Sequence, residues 1–289
     1  MKKADTPVKT RMPALMTAGT LALALTACGG GAPEEEPADA AAETPEESSG
    51  GGILDLVASL GQSFQEVDNY TLDMEMVASD PEEGDTTMTT TYEVMDDPEA
   101  AHVTMVMPFV GEAILGLAEL SGEDLGLTAE ELGTSILIVP AEGDVLVSNH
   151  NGLQEVDTPW VRGVQDTETA PSDEVFDTSH FPRIAGTVAE IEQIEEVGTE
   201  EVSGVETTLV EGTLTQEEVE ALEPEQKKAV NELMGGSIEG TVEVSAWIAD
   251  DGFPMRMEFS DDVADVSMVF SDLGETSFEM PSEDEITDL

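Results

Sequence analysis

Tyr70-Thr71-Leu72-Asp73-Met74-Glu75-Met76 sets apolar and polar side chains on alternate positions, the period of a strand with one face buried. The alternation returns at Met88, Thr90, Tyr92 and Val94, and again at Ala101, Val103, Met105 and Met107. Asp96-Asp97-Pro98-Glu99, between the second and third runs, is turn chemistry, and connections this short join antiparallel neighbours. Residues 70–107 therefore predict a three-stranded meander.

Upstream, Ile53, Leu56, Val57, Leu60, Phe64 and Val67 recur at helical spacing and predict an amphipathic opening helix. Downstream, residues 108–133 break the strand pattern: Val110, Ile114 and Leu117 are helically spaced, and Thr128 stands three residues before Glu131 as a cap. Strands resume over residues 135–139, 144–148 and 152–156, the last entered through the hairpin signal Asn151-Gly152, with Trp160 packing at the end of the group. Residues 163–191 read as loop and short helix. Strands follow over 195–199, 201–203 and 205–214, with Gly198 and Gly204 at turns. Thr215 and Glu218 open a helix that Pro224 divides and Gly235-Gly236 ends. Residues 242–248, 255–260 and 263–271 complete about ten strands, an α+β domain.

The first thirty residues are of another kind. Lys2, Lys3, Lys9 and Arg11 precede an apolar stretch from Ala14 to Leu25, then Leu25-Thr26-Ala27-Cys28. This is the zone order of a signal peptide, and about a dozen apolar residues fall short of the ~20 that span a bilayer. The last four residues resemble the lipobox of bacterial lipoproteins, which implies cleavage between Ala27 and Cys28 and a diacylglyceryl thioether and N-acyl group on Cys28. Cys28 is the chain's one cysteine; an internal disulfide is excluded, and a free thiol or an intermolecular bridge are the other uses open to it. More than one acyl chain holds a protein firmly where a single chain is reversible. Residues 28–52 carry Gly, Ala, Pro, Glu and Ser without a large apolar side chain, the composition of an extended acidic tether. The expected organisation is thus signal peptide 1–27, acylated cysteine and tether 28–52, and a folded domain 53–289 on the extracytoplasmic face of the cell membrane.

Asp and Glu number 65 against nine Lys and Arg, for a formal net charge of -56. Four of those nine cations fall within residues 1–27, so the part beyond is more acidic still. Nucleic acid is excluded as a partner, because phosphate backbones are bound through Lys and Arg. The acids run along the whole chain rather than forming a tail, which points to a saline setting where screening tames self-repulsion, ahead of general solubility.

Three C-terminal segments carry a family likeness. They are Glu196-Val197-Gly198-Thr199-Glu200-Glu201-Val202-Ser203-Gly204-Val205-Glu206-Thr207-Thr208, Val244-Ser245-Ala246-Trp247-Ile248-Ala249-Asp250-Asp251-Gly252-Phe253-Pro254-Met255-Arg256 and Phe270-Ser271-Asp272-Leu273-Gly274, ahead of a tail Pro281-Ser282-Glu283-Asp284-Glu285. Their order, with a helix between the first two and a lipobox upstream, resembles the actinobacterial LppX/LprG lipoproteins. The resemblance implies a LolA-like fold: a curved antiparallel half-barrel sheet with helices on its concave side and a lipid-sized cavity between. It also implies non-catalytic carriage of an acylated lipid or glycolipid. The alternative is an extracytoplasmic sensor or protein-interaction module on the same fold, with no lipid cargo and a partner the sequence does not name.

Methionine recurs on the strands, and its flexible, polarizable thioether suits both an adaptable apolar ligand wall and an ordinary gap-filled core. With a LolA-like shape, Met74, Met76, Met105 and Met107, together with Phe109, Ile114 and Leu117 of the apolar insertion, are the candidate cavity lining, and the insertion is the candidate mouth. His102, His150 and His180 have no metal-ligand spacing, and no acidic run has the order of a calcium loop. No nucleophile elbow, phosphate loop or zinc-protease helix is present. Neither catalysis nor a cofactor is expected.

Overall fold

The computed structural model describes residues 50–64, 67–80, 84–163, 180–191, 193–236, 238 and 240–289. The signal peptide, Cys28 and most of the tether expected from the sequence lie outside them, as does most of the segment before His180.

The meander forms as the alternation predicts: β1 is Tyr70–Asp80, β2 Gly84–Asp96 and β3 Glu99–Val106. β4 (Thr134–Pro140), β5 (Leu146–Ser148) and β6 (Trp160–Arg162) extend it on one side. A second meander comprises β7 (Ile194–Val202), β8 (Val205–Thr215), β9 (Thr241–Ala249), β10 (Pro254–Ser260) and β11 (Ala264–Ser271). The two join where β1 pairs antiparallel with β11, Leu72 opposite Phe270 and Met74 opposite Met268. A short β12 (Ile286–Asp288) adds to β6 in parallel, giving one open, curved twelve-stranded sheet in the order β12-β6-β5-β4-β3-β2-β1-β11-β10-β9-β8-β7. The class is the α+β one expected from the sequence.

Three local readings change. Residues 152–156 are not a strand: Asn149 gathers that stretch as a loop, its side-chain amide donating to the carbonyls of Gln154, Val156 and Thr158. The strand forms later, at Trp160–Arg162, because its second partner is the C-terminal β12, held by Arg162 to Glu283 at 2.7 Å and to Asp288 at 3.2 Å. Gly198 is not a turn either. It sits at a bulge within a continuous β7, where the register shifts between Glu196 and Gly198.

One face of the sheet carries the core. Leu72, Tyr92, Val103, Val210, Leu214, Val242, Met257 and Phe270 from the strands pack with residues of four helices. α1 (Gly50–Ser63) contributes Val57 and Leu60; α4 (His180–Val188) contributes Phe181, Ile184, Ala185 and Val188. α5 (Gln216–Ala221) opens with the expected Thr215–Glu218 capping box, and α6 (Pro224–Leu233) follows the break at Pro224. Phe64 sits in a nest of aromatic rings, 6.2 Å from Tyr70, 5.1 Å from Phe253 and 5.2 Å from Phe270, fastening the end of α1 over the β1–β11 junction. The opposite face carries polar pairs, Asp73 bonded to Thr91 and Glu93 to His102 across neighbouring strands, beside the buried Met95, Ile138 and Leu146.

The insertion folds as two helices, α2 (Pro108–Ser121) and α3 (Ala129–Gly133), the second capped by Thr128 and Glu131 as its spacing predicts. Two glycines permit the corner. A Cβ on Gly111 would lie 1.7 Å from the Ala129 carbonyl oxygen, and one on Gly133 would lie 2.2 Å from that of Met107. α2 is thereby clamped to α3 at the end of β3.

Candidate functional site

Registers across the sheet place Met257, Met268, Met74, Thr90 and Met105 side by side on the helix-bearing face of β10, β11, β1, β2 and β3. With strands ~4.8 Å apart, this row runs for about 19 Å. The adjacent row is Phe259, Val266, Met76 and Met88. Alternation within each strand aims all of these side chains one way.

The wall changes character along its length. Met257 and Met268 are fully buried and belong to the core. Met74 and Met76 pack against that core but stay half-buried, and Met88 and Met107 are half-buried too. Met105 is buried. The methionines on β1 to β3 thus form an apolar surface that the helices only partly cover.

Of the residues singled out from the sequence, Met74, Met76 and Met105 share this surface. Met107 lies just beyond β3, its amide donating to the Gly133 carbonyl and its own carbonyl accepting from Val110 at the start of α2. Ile114 is half-buried in α2. Phe109 and Leu117 are placed differently: they are 44% and 66% exposed, and Leu120 is 87% exposed. With exposed Ala113 between them, these positions form a helical stripe. Glu112 and Glu119 are the only charges in α2, so the helix is apolar almost all round.

Thr90 is the residue that sequence reasoning passed over. It occupies the position between Met88 and Tyr92 on the apolar face, with Met74 and Met105 as its cross-strand neighbours. It is 1% exposed, and its Oγ1 has no hydrogen-bond partner. Leaving a buried hydroxyl unpaired costs about 1–3 kcal/mol. The other such atom among the described residues is Arg256 Nε, whose guanidinium lies 4.5 Å over the Trp247 ring. Thr90 has only apolar side chains and a tyrosine ring around it on the sheet. The available signal was a polar residue at a core position of the alternation, hidden in a strand where Thr86, Thr87, Thr89 and Thr91 are also threonine.

Beside Thr90, Tyr92 is buried, and its ring meets Phe181 edge-on at 5.5 Å. Burial pushes its phenol up to about 12. A hollow of about 710 Å³ is lined by Pro224, Lys227, Lys228, Asn231, Glu232, Gly235 and Gly236. A Cβ on Gly235 would come 3.8 Å from Met76 Cε, so one residue of the hollow packs against the methionine surface. The hollow holds two of the five cationic side chains beyond residue 27.

The sequence matches no protein family and no curated protein. Similar solved structures include the lipoprotein LppX of Mycobacterium tuberculosis, 12% identical over 79% of this chain and 98% of that one, with a TM-score of 0.45. LprF of Mycobacterium bovis is 12% identical over 80% and 97%, with a TM-score of 0.44. The MucA/MucB complex of Pseudomonas aeruginosa is 13% identical over 81% of this chain and 60% of that one, with a TM-score of 0.29.

Proposed function

We propose that this protein is a cell-envelope lipoprotein, anchored through Cys28 on the extracytoplasmic face of the membrane, that holds an acylated lipid or glycolipid between sheet and helices and carries it without catalysis. The observation that carries the reading is the half-covered methionine surface of β1 to β3, against which Gly235 of the hollow on α6 packs at Met76. Flexible thioethers adapt to an irregular hydrocarbon chain, and the hollow, with Lys227, Lys228 and Asn231 in its lining, accepts the end of the molecule that stays wet. The anchor rests on the lipobox and on the order of zones before it. Residues 48–289 form a compact unit containing every strand and helix named above, and this unit serves for the test. Native mass spectrometry of it, purified without detergent from its host, is expected to find a co-purifying acylated lipid. Intact mass of the membrane form is expected to begin at Cys28 with acyl groups added. Lipid-free protein under all purification conditions would end the carrier reading.

The exposed stripe of Phe109, Leu117 and Leu120 favours the second reading, a sensor or protein-interaction module in which α2 receives a protein. In that case the same spectra contain a partner polypeptide and no lipid.

A further inference from the structure

We infer that Thr90 is the polar contact of the lipid site and that its hydroxyl donates to the ester carbonyl of an acylglycerol lying along the methionine surface. The inference rests on the carrier reading and deepens it by naming the bond that is recognised.

Three observations meet at this residue. The Thr90 hydroxyl is buried and unpartnered. Its neighbours on that face, Met74, Met88 and Met105, offer thioethers, which are weak hydrogen-bond acceptors and adaptable apolar surface. Gly235, one of the residues lining the hollow, lies against Met76, which is opposite Met88 and therefore diagonal to Thr90, a step of about 7–8 Å on a sheet. A glycerolipid has the matching order: a polar end, an ester a short distance below it, then hydrocarbon. With its polar end at Lys227 and Asn231, its ester carbonyl reaches Thr90 and its chain continues over Met74 and Met105.

Charge excludes a free fatty acid whose carboxylate would sit at Thr90. No cation lies among the wall residues, and the chain carries a net -56, so a carboxylate placed at Thr90 would be desolvated without a counter-charge. An ester carbonyl needs one donor and no charge. Thr90 supplies that donor, and binding removes the cost of leaving it unpaired.

The test compares 1,2-dioleoylglycerol with its ether-linked analogue 1,2-di-O-oleylglycerol, which has the same shape and chains but lacks carbonyls. Both are titrated into residues 48–289. The unaltered protein is expected to bind the ester about tenfold more tightly, the ratio that ~1.4 kcal/mol from one hydrogen bond gives. Thr90→Val, which keeps the side-chain shape, is expected to bind both equally, at the ether's affinity, while melting at a higher temperature than the unaltered protein because the orphan hydroxyl is gone. Thr90→Ser is expected to keep the discrimination. A ¹³C-labelled ester carbonyl is expected to have a lowered stretching frequency in the unaltered protein and in Thr90→Ser, and not in Thr90→Val. Equal binding of ester and ether by the unaltered protein, or an ester preference unchanged in Thr90→Val, would overturn the role of Thr90 and leave lipid carriage standing. Binding of neither lipid, with no lipid co-purifying, would remove the carrier reading and this inference with it.

Discussion

Tyr92 is the buried residue of the wall whose ionisation can be followed directly. Its phenol is held neutral by burial, with the folded value raised to about 12 from 10. In the unfolded chain the group ionises near 10, so its contribution to stability is fully present below that pH and is lost as pH rises from about 10 to 12. The whole shift corresponds to at most ~2.7 kcal/mol. Equilibrium unfolding in urea between pH 9 and 12 is expected to show this loss, and Tyr92→Phe to flatten it; a Tyr92→Phe curve parallel to that of the parent would mean that other groups dominate. Tyr92 was legible as a core residue, because its alternation with Glu93 and Thr91 is regular. The same alternation placed Thr90 on that face, but its unpartnered hydroxyl was not legible, because only the packed sheet tells which hydroxyls are enclosed without a partner.

Among the elements, α2 is the one whose sequence and setting disagree. A helix with this composition is normally buried, yet Phe109, Leu117 and Leu120 face outward. What holds it is the glycine corner with α3 rather than a broad apolar contact. Gly111→Ala is expected to cost ~1–3 kcal/mol, since the new methyl group would meet the Ala129 carbonyl oxygen and backbone must move. A lower melting temperature and faster cleavage by a glutamate-specific protease at Glu112 and Glu119 would register it; an unchanged digestion pattern would show that α2 is held by other contacts. Helical spacing revealed α2 and the Thr128 cap revealed α3, both local signals. The direction in which α2 turns its stripe depends on two close backbone approaches, and no periodicity encodes those. The strand at Trp160–Arg162 was missed for a related reason: its pairing with Ile286–Asp288 joins residues more than a hundred positions apart.

Over the whole molecule, acidity has structural consequences at particular places. On the edge hairpin β7–β8, Glu195 lies opposite Glu211 and Glu201 opposite Glu206. Like charges directly across a ladder are destabilising. On the outermost strand they also discourage pairing with another chain. Screening falls from ~10 Å at 0.1 M to ~3 Å at 1 M salt, so the melting temperature is expected to climb through the molar NaCl range. Glu201→Gln with Glu206→Gln is expected to reduce that slope; a melting temperature indifferent to salt would remove the saline reading of the composition. The junction of β1 with β11 has a different consequence, which concerns time. Its two halves are separated by nearly the whole domain, so the centre of the sheet closes only after the last third of the chain has been made. Loop closure over such a distance precedes any contact that rewards it, and it slows folding. A chain emerging N-terminus first therefore presents β1 with a bare ladder edge until β11 arrives. Maturation of this protein is thereby timed by its C-terminal third, and a truncation before Ala264 would leave the first meander complete in sequence but open at its inner edge.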